Sequence, residues 1–115
     1  MKDLVRVFDA LSDPVRIRIV KLLLNKKKMC VCELTAILKI GQPTVSHHLK
    51  ILKDAELVFD VRYKLWVDYG ISKEKGNKYV PSLIKLLSGW LESDQKILED
   101  RKLTAKVSRE ELCKK

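Results

Sequence analysis

Cys30 and Cys32 are two thiols separated by a single residue, and they are the side chains best suited to chemistry in this 115-residue sequence. Residues two apart point to nearly opposite sides of a regular helix, but to the same side of an extended segment. A shared ion therefore requires an extended or unwound backbone at this point. Because thiolates select soft ions, the pair suits trivalent arsenic or antimony better than magnesium or manganese.

The cysteines also admit other interpretations. The sequence has an odd number of them, and Cys30 and Cys32 are too close together to suggest a structural staple. Free thiols, a metal or metalloid site, or a redox switch are the remaining options, and the plainest one is a pair of idle, buried cysteines. The run from Lys26 to Lys28, together with the positive start of a following helix, is expected to favour the thiolate form.

A second group of candidate residues lies on one face of a predicted helix that starts near Pro43, whose fixed φ suits a first helical turn. Val45, Leu49 and Leu52 lie on its apolar stripe together with His48, which we expect to be a packed, hydrogen-bonded core residue. The opposite face carries no carboxylate and consists of Gln42, Thr44, Ser46, His47 and Lys50. Such a face fits a DNA major groove, where the short polar groups read base edges and the lysine contacts a phosphate.

This helix is predicted to form a helix-turn-helix pair with the one before it. Apolar residues at helical spacing predict three preceding helices, over residues 2–11, 14–24 and 33–39. Asp13 is placed to cap the second of them, because Pro14 holds it in extended geometry. Gly41 frees the turn between the third helix and the one that starts near Pro43, which completes the pair.

A β-hairpin is predicted directly after the pair. Two runs rich in Val, Phe, Trp and Tyr, at residues 57–62 and 65–69, are typical of strands. Arg62 and Lys64 lie at the tip of this hairpin, from which they would reach phosphates or a minor groove. A hairpin in this position is the wing of a winged helix-turn-helix.

The remaining chain is expected to form one long helix and a tail. The helix is predicted over residues 79–98, and its apolar stripe is longer than so small a core needs, which favours a partner subunit that covers it. The predicted fold is mainly α with a small β-hairpin, in a single domain over residues 1–98. A charged tail follows over residues 99–115, where Ser108 and Glu111 have capping-box spacing and could start another helical turn.

Composition sets the class of protein and of partner. The chain is 46% hydrophobic and 34% charged, which is typical of one soluble globular domain, and its net charge of +9 favours a nucleic acid over a membrane as partner. No apolar run approaches the ~20 residues of a membrane span, and no secretory signal is visible, so we expect a cytoplasmic protein. An enzyme built on His47 or His48 and a thiol is disfavoured, because the sequence has no phosphate loop, metalloprotease motif or clustered carboxylate pair. No cofactor is required.

Four motifs in order, SDPVRIRIVKLL, CVCEL, GQPTVSHHLKIL and LWVDY, resemble the ArsR/SmtB family of metal-responsive repressors over most of residues 2–98. The resemblance implies a homodimer of winged helix-turn-helix subunits that dimerise through their first and last helices and bind double-stranded operator DNA. CVC at this place resembles the arsenite-sensing branch of the family. It implies that Cys30 and Cys32 bind arsenite or antimonite as the inducer that releases the operator.

Several positions depart from that family pattern. The branch usually has a third cysteine three residues after the second, where this sequence has Thr35, so Cys113 is the candidate third ligand. Cysteines near the N-terminus and histidines in the last helix are missing, which argues against the cadmium/lead and zinc sites of other members. Gly41 replaces a usual Ser, and Lys64 and Leu65 replace a usual Gly and basic residue in the wing. The alternatives are a redox-switched or non-functional cysteine pair, a sensor of another soft metal such as cadmium, and a sequence-indifferent architectural DNA binder.

Overall fold

A computed structural model describes residues 1–73, 76–107 and 112, and within them six helices and three strands follow one another. The elements are α1 (Lys2–Ala10), α2 (Pro14–Asn25), β1 (Met29–Cys30), α3 (Val31–Leu38), α4 (Gln42–Asp54), β2 (Val58–Tyr63), β3 (Trp66–Ile71), α5 (Val80–Gly89) and α6 (Gln95–Thr104). The predicted winged helix-turn-helix fold is confirmed. The capping box expected at Ser108 and Glu111 lies outside the described residues. No described helix is both long and apolar enough to cross a membrane.

The helix starts follow from local chemistry. Asp13 caps α2 as predicted, because its Oδ1 accepts the backbone N–H groups of Val15 at 2.8 Å and Arg16 at 3.2 Å. Helix α3 ends at Lys39, which adopts a left-handed conformation (φ 58°). Gly41 then provides an extended N-cap for α4, with no side-chain cap bond. The turn between α3 and α4 is therefore set by backbone geometry.

The core holds α3 and α4 by their apolar faces. Leu34 and Ile37 of α3 are at most 1% exposed, and Val45, Leu49 and Leu52 of α4 are fully buried. All five belong to one cluster with residues of α1, α2 and the sheet. The apolar stripe predicted for α4 is thus confirmed, and its packing leaves the opposite face of α4 towards solvent.

The sheet has the strand order β1-β3-β2 and is antiparallel throughout. The predicted hairpin is confirmed as β2 and β3, whose register runs from Val58 opposite Ile71 to Tyr63 opposite Trp66. A further strand, β1, is not among the strands that the sequence predicts. It pairs Met29 with Tyr69 and Cys30 with Asp68, so the sheet holds the segment that carries the first thiol.

The prediction of one long helix over residues 79–98 is wrong. Helix α5 ends at Gly89, Leu91 adopts a left-handed conformation (φ 61°), and α6 begins after the N-cap Asp94. Asp94 Oδ1 accepts the backbone N–H groups of the residues that start α6. The apolar spacing that predicts one helix includes Ile97. This residue is buried, but on α6 rather than on a continuation of α5.

Two cations of α2, the partly buried Arg18 and the buried Lys21, attach the C-terminal helices to it. Arg18 donates from Nε and Nη2 to both carboxylate oxygens of Asp100, each at 2.9 Å, and Asp100 is only 2% exposed. Lys21, also buried, donates from Nζ to the carbonyls of Leu87 and Trp90, both at 2.7 Å, at the end of α5. The end of the domain that the sequence predicts at residue 98 falls inside α6. Asp100, on the later part of this helix, is bound to Arg18 of α2.

Candidate nucleic-acid interface and thiol site

The outer face of α4 presents all of its predicted DNA-binding side chains to solvent. Gln42, Thr44, Ser46, His47 and Lys50 are exposed. Lys50 Nζ lies 3.1 Å from Asp54 Oδ2 one turn further on, and both side chains are more than half exposed. A pair of this kind contributes little energy, so the lysine remains available to a phosphate.

The wing lies beside α4 and is tied to it. Lys53 Nζ of α4 donates to Asp60 Oδ2 of β2 at 3.0 Å, and this bond raises the pKa of Lys53. At the tip, Arg62 and Lys64 are exposed as predicted. Lys64 has a left-handed backbone (φ 55°), and its Nζ lies 5.4 Å from the centre of the Tyr63 ring. The Lys53–Asp60 contact, which the sequence did not reveal, joins the wing to the C-terminal part of α4.

His48 has the buried, hydrogen-bonded place that the sequence predicts for it. It is 9% exposed, and Arg16 Nη1 lies 3.0 Å from its Nδ1. Arginine has only donors, so Nδ1 accepts and the proton of the neutral ring is on Nε2. Burial lowers the pKa of His48; Arg16 and His47 lower it further, while Asp13 opposes the shift.

Arg16 connects His48 to the end of the first helix. Its Nε donates to the carbonyl of Ala10 at 2.7 Å, while its Nη1 reaches His48 on α4. Arg16 is not among the residues that the sequence singles out, because its contact with His48 spans 32 positions and no local pattern indicates it. Arg16 therefore fixes the inner side of the helix that presents the candidate DNA-reading face.

The two neighbouring cysteines lie on either side of the junction between β1 and α3. Cys30 is the N-cap of α3, has an extended backbone (φ −91°, ψ 168°), and is a free thiol only 2% exposed. Cys32 is the second residue of α3 and is disulfide-bonded. The two are therefore not joined to each other. Cys113, the third candidate ligand, lies outside the described residues.

A capping box holds the start of α3. The backbone N–H of Cys30 donates to Glu33 Oε1 at 3.0 Å, and the Cys30 sulfur faces the backbone N–H of Glu33 in return. Glu33 is 2% exposed, and its Oε2 accepts from Lys26 Nζ at 2.6 Å. The free sulfur thus belongs to the contacts that define where the helix begins.

The expectation that neighbouring cations favour the Cys30 thiolate is wrong. Burial raises the pKa of this thiol, and the Glu33 carboxylate raises it as well, while the backbone N–H of Glu33 acts in the opposite direction. Lys26 does not counter this, because it is paired with Glu33. The protonated thiol is the favoured form in this buried position.

The side chains around Cys30 meet some, but not all, of the requirements for binding a soft ion. Cys30 offers a sulfur on extended backbone, the geometry required for sharing, whereas Cys32 already lies on the helix. One turn beyond it, Thr35 buries its hydroxyl oxygen without a hydrogen-bond partner among the described residues. Within that part of the chain, no three His, Cys, Asp or Glu side chains cluster closely enough to hold a metal ion.

Comparison with known proteins reveals similarity over the elements described above. The model of a family described as "Bacterial regulatory protein, arsR family" matches residues 13–59. An uncharacterized HTH-type transcriptional regulator of Methanocaldococcus jannaschii is 42% identical over 81 residues, which cover 70% of this chain and 86% of that protein. The arsenic resistance transcriptional regulator ArsR1 of Pseudomonas putida is 36% identical over 93 residues, 80% of this chain and 69% of that one.

A solved structure has the same architecture. The transcriptional repressor PagR of Bacillus anthracis aligns with a TM-score of 0.61 and 31% sequence identity, covering 75% of this chain and 93% of that one.

Proposed function

Because this chain belongs to the arsR family of bacterial regulatory proteins, we propose that it is a homodimeric transcriptional repressor released from its operator by trivalent arsenic or antimony. Cys30 and Cys32 are the proposed ligands, and Cys113 is the candidate third. The single observation that carries the proposal is the position of Cys30 as the N-cap of α3, because α3 packs directly behind α4. The reduced cytoplasm is the compartment in which such thiols would act.

DNA binding is assigned to the face of α4 and to the wing. In the proposed complex α4 enters the major groove, where Gln42, Thr44, Ser46 and His47 contact base edges. The cations contact phosphates instead, and they are Lys50, Arg62 and Lys64. A dimer would read two half-sites about one DNA turn, ~34 Å, apart.

An uncovered apolar groove supports the dimer. The groove has a volume of about 510 Å³ and lies between α1, α2 and α5, lined by Phe8, Leu11, Ile17, Leu83, Leu87, Trp90 and Leu91. Phe8 is 54% exposed and Trp90 is 52% exposed. Wide exposed apolar surface is unusual on monomers, so we propose that a second copy covers it. Sedimentation equilibrium of Phe8→Glu should show a monomer where the parent chain is a dimer, with Phe59→Glu as the control outside the groove.

The proposed release acts through the start of α3. A soft ion binds the thiolate, so the Cys30 proton must leave, and the ion then sets the position of the sulfur that faces the backbone N–H of Glu33 in the capping box. The first turn of α3 then shifts, and the shift reaches α4 through Leu34 and Ile37. Full release requires that the ion favour the weak-binding conformation by about 10⁴-fold, or about 5.5 kcal/mol.

Arsenic-edge absorption spectroscopy tests the ligand set. The reduced protein should place sulfur around the ion, and Cys30→Ser should lower the number of sulfurs. Cys113→Ser decides the third ligand, because the count falls only if that thiol participates. A spectrum identical to free arsenite would overturn the assignment, and a cadmium titration read by thiolate absorption would then test the other soft ion.

A selection from random duplex DNA tests the repressor assignment. The protein should enrich one inverted repeat, and its affinity should fall steeply with salt. The variant Arg62→Gln/Lys64→Gln should bind that repeat more weakly, whereas Lys96→Gln/Lys102→Gln on α6 should not. Equal affinity for every duplex would instead indicate an architectural DNA binder.

A second candidate function is a redox-switched regulator. The observation that favours it is that Cys32 is disulfide-bonded while Cys30 is free. Operator affinity measured without arsenite, before and after reduction, separates the two: a redox switch changes affinity on reduction alone. An arsenite sensor stays bound after reduction and leaves only when the ion is added.

A further inference from the structure

A second groove lies between the C-terminal end of α2 and the strands β2 and β3. Its volume is about 600 Å³, within the range of small-molecule sites. The floor is apolar and is formed by Leu23, Leu24, Phe59 and Ile71. Leu23 and Ile71 are at most 5% exposed, whereas Phe59 is 37% exposed. The groove therefore extends the apolar core to the surface, and no described segment covers it.

The rim of this groove is positively charged. Lys27, Lys28 and Lys73 line it, and all three are exposed. Over residues 1–73 and 76–107 none of them has an ion-pair partner, whereas Lys26 is paired with Glu33 and lies outside the lining. No carboxylate lines the groove in this part of the chain. Three cations beside an apolar floor complement an anion that carries an apolar body.

Close backbone packing shapes the wall. A Cβ placed on Gly70 would lie 2.9 Å from the Phe59 ring and 3.1 Å from the Lys27 carbonyl oxygen. Glycine therefore lets the sheet approach the end of α2 and lets the ring rest across the strand. A side chain at position 70 would therefore press on the Phe59 ring of the floor and on the backbone of Lys27 at the rim.

We propose that this groove binds a small amphiphile with a carboxylate head, its chain on the apolar floor and its head between Lys27, Lys28 and Lys73. The site is separate from the cysteines and from the exposed face of α4. It would give the protein a second ligand, so its test does not depend on arsenite. A DNA backbone would satisfy the lysines but would leave the apolar floor without a partner.

Isothermal titration calorimetry with decanoate below its micelle concentration tests the proposal. Decanoate should bind saturably, decanol should bind more weakly, and decyltrimethylammonium should bind least. An exposed ion pair is worth a few-fold in affinity, so Lys27→Gln/Lys28→Gln/Lys73→Gln should weaken decanoate binding roughly tenfold. The control Lys96→Gln/Lys102→Gln/Lys106→Gln has the same change in charge and should bind as the parent does.

A second variant tests the floor. Leu24→Trp fills the groove and should abolish decanoate binding while circular dichroism reports an unchanged helix content. The proposal is overturned by an absence of saturable heat, by equal binding of the three decyl compounds, or by equal losses in the two lysine triples. If the rim triple instead loses operator affinity and decanoate never binds, these lysines serve nucleic acid and the amphiphile site is rejected.

Discussion

The backbone N–H of Cys30 donates to Glu33 Oε1 at 3.0 Å, while the Cys30 sulfur faces the backbone N–H of Glu33. The candidate sensing thiol is thus part of the cap of the helix that precedes α4. In the proposed function, the sulfur that faces the capping N–H of Glu33 also binds the ion. A change in the position of this sulfur would be passed through α3 to α4, against which α3 packs.

Replacement of Glu33 measures the cap itself. Glu33→Ala removes the acceptor of the Cys30 N–H and the partner of Lys26, and loss of such a cap costs about 1 kcal/mol. The free energy of unfolding in urea should fall by that amount in the reduced protein. Glu99→Ala removes an exposed carboxylate on α6 as the control and should change little. Equal stability of the two variants would show that the capping box does not hold α3.

Stability should depend on pH through His48. Its pKa in the folded protein is lowered from 6.5 by burial, so the unfolded chain takes up the proton first. The free energy of unfolding that the neutral ring contributes is fully present above pH 6.5. It is lost as the pH falls towards the pKa of His48 in the folded protein. Between pH 7.5 and 5.5 the free energy of unfolding should decline for the parent. His48→Gln should flatten that decline and His47→Gln should reduce it only slightly, whereas identical slopes for both would contradict the assignment.

The ion pair between Arg18 and Asp100 should be a main support of α6. Asp100→Asn leaves a mostly buried guanidinium without its countercharge, which typically costs about 3 kcal/mol or more. Thermal and urea unfolding should both show the loss. Lys50→Gln/Asp54→Asn removes the exposed pair on α4 and should cost less than about 1 kcal/mol. A small effect of Asp100→Asn would show that this ion pair is not a main support of α6.

Base reading and phosphate contact should separate on α4. Ser46→Ala and His47→Ala should relax the preference for single base pairs, by about 1–3 kcal/mol for a lost base contact. Lys50→Gln should weaken binding to all duplexes alike. It should also reduce the slope of log affinity against log salt concentration by about 1. Fluorescence anisotropy on the selected repeat and its point variants measures both. A Lys50→Gln variant that alters sequence preference would reassign this lysine to the bases.

The sequence predicted those parts of the fold that local chemistry specifies. Gly41 and Pro43 mark the turn and the start of α4, and Asp13 marks the start of α2, so these elements are found where expected. The single helix over residues 79–98 failed because apolar spacing ran on through a break that the Asp94 cap and the left-handed Leu91 impose. A periodic pattern cannot distinguish one helix from two that bury the same kind of face.

For the candidate site residues, the sequence predicted which side chains of α4 are exposed or buried but not their long-range contacts. The exposed face of α4 followed from its apolar stripe, and so did the burial of His48. The partner of His48 is Arg16, which is distant in the chain, and the burial of Cys30 depends on the pairing of β1 with β3. Both are tertiary contacts, which a local pattern does not show. The sequence therefore identified Cys30 as a candidate but predicted the wrong direction for the shift of its pKa.

In the proposed function, a soft ion bound at Cys30 releases the operator. The most direct measurement is fluorescence anisotropy of the labelled selected repeat, with the protein reduced by a phosphine, which does not compete for arsenic as a dithiol does. Added arsenite should lower operator affinity at least tenfold, arsenate should not, and Cys30→Ser should bind DNA normally and ignore arsenite. If the reduced parent protein stays bound in the presence of arsenite and antimonite, the account is contradicted.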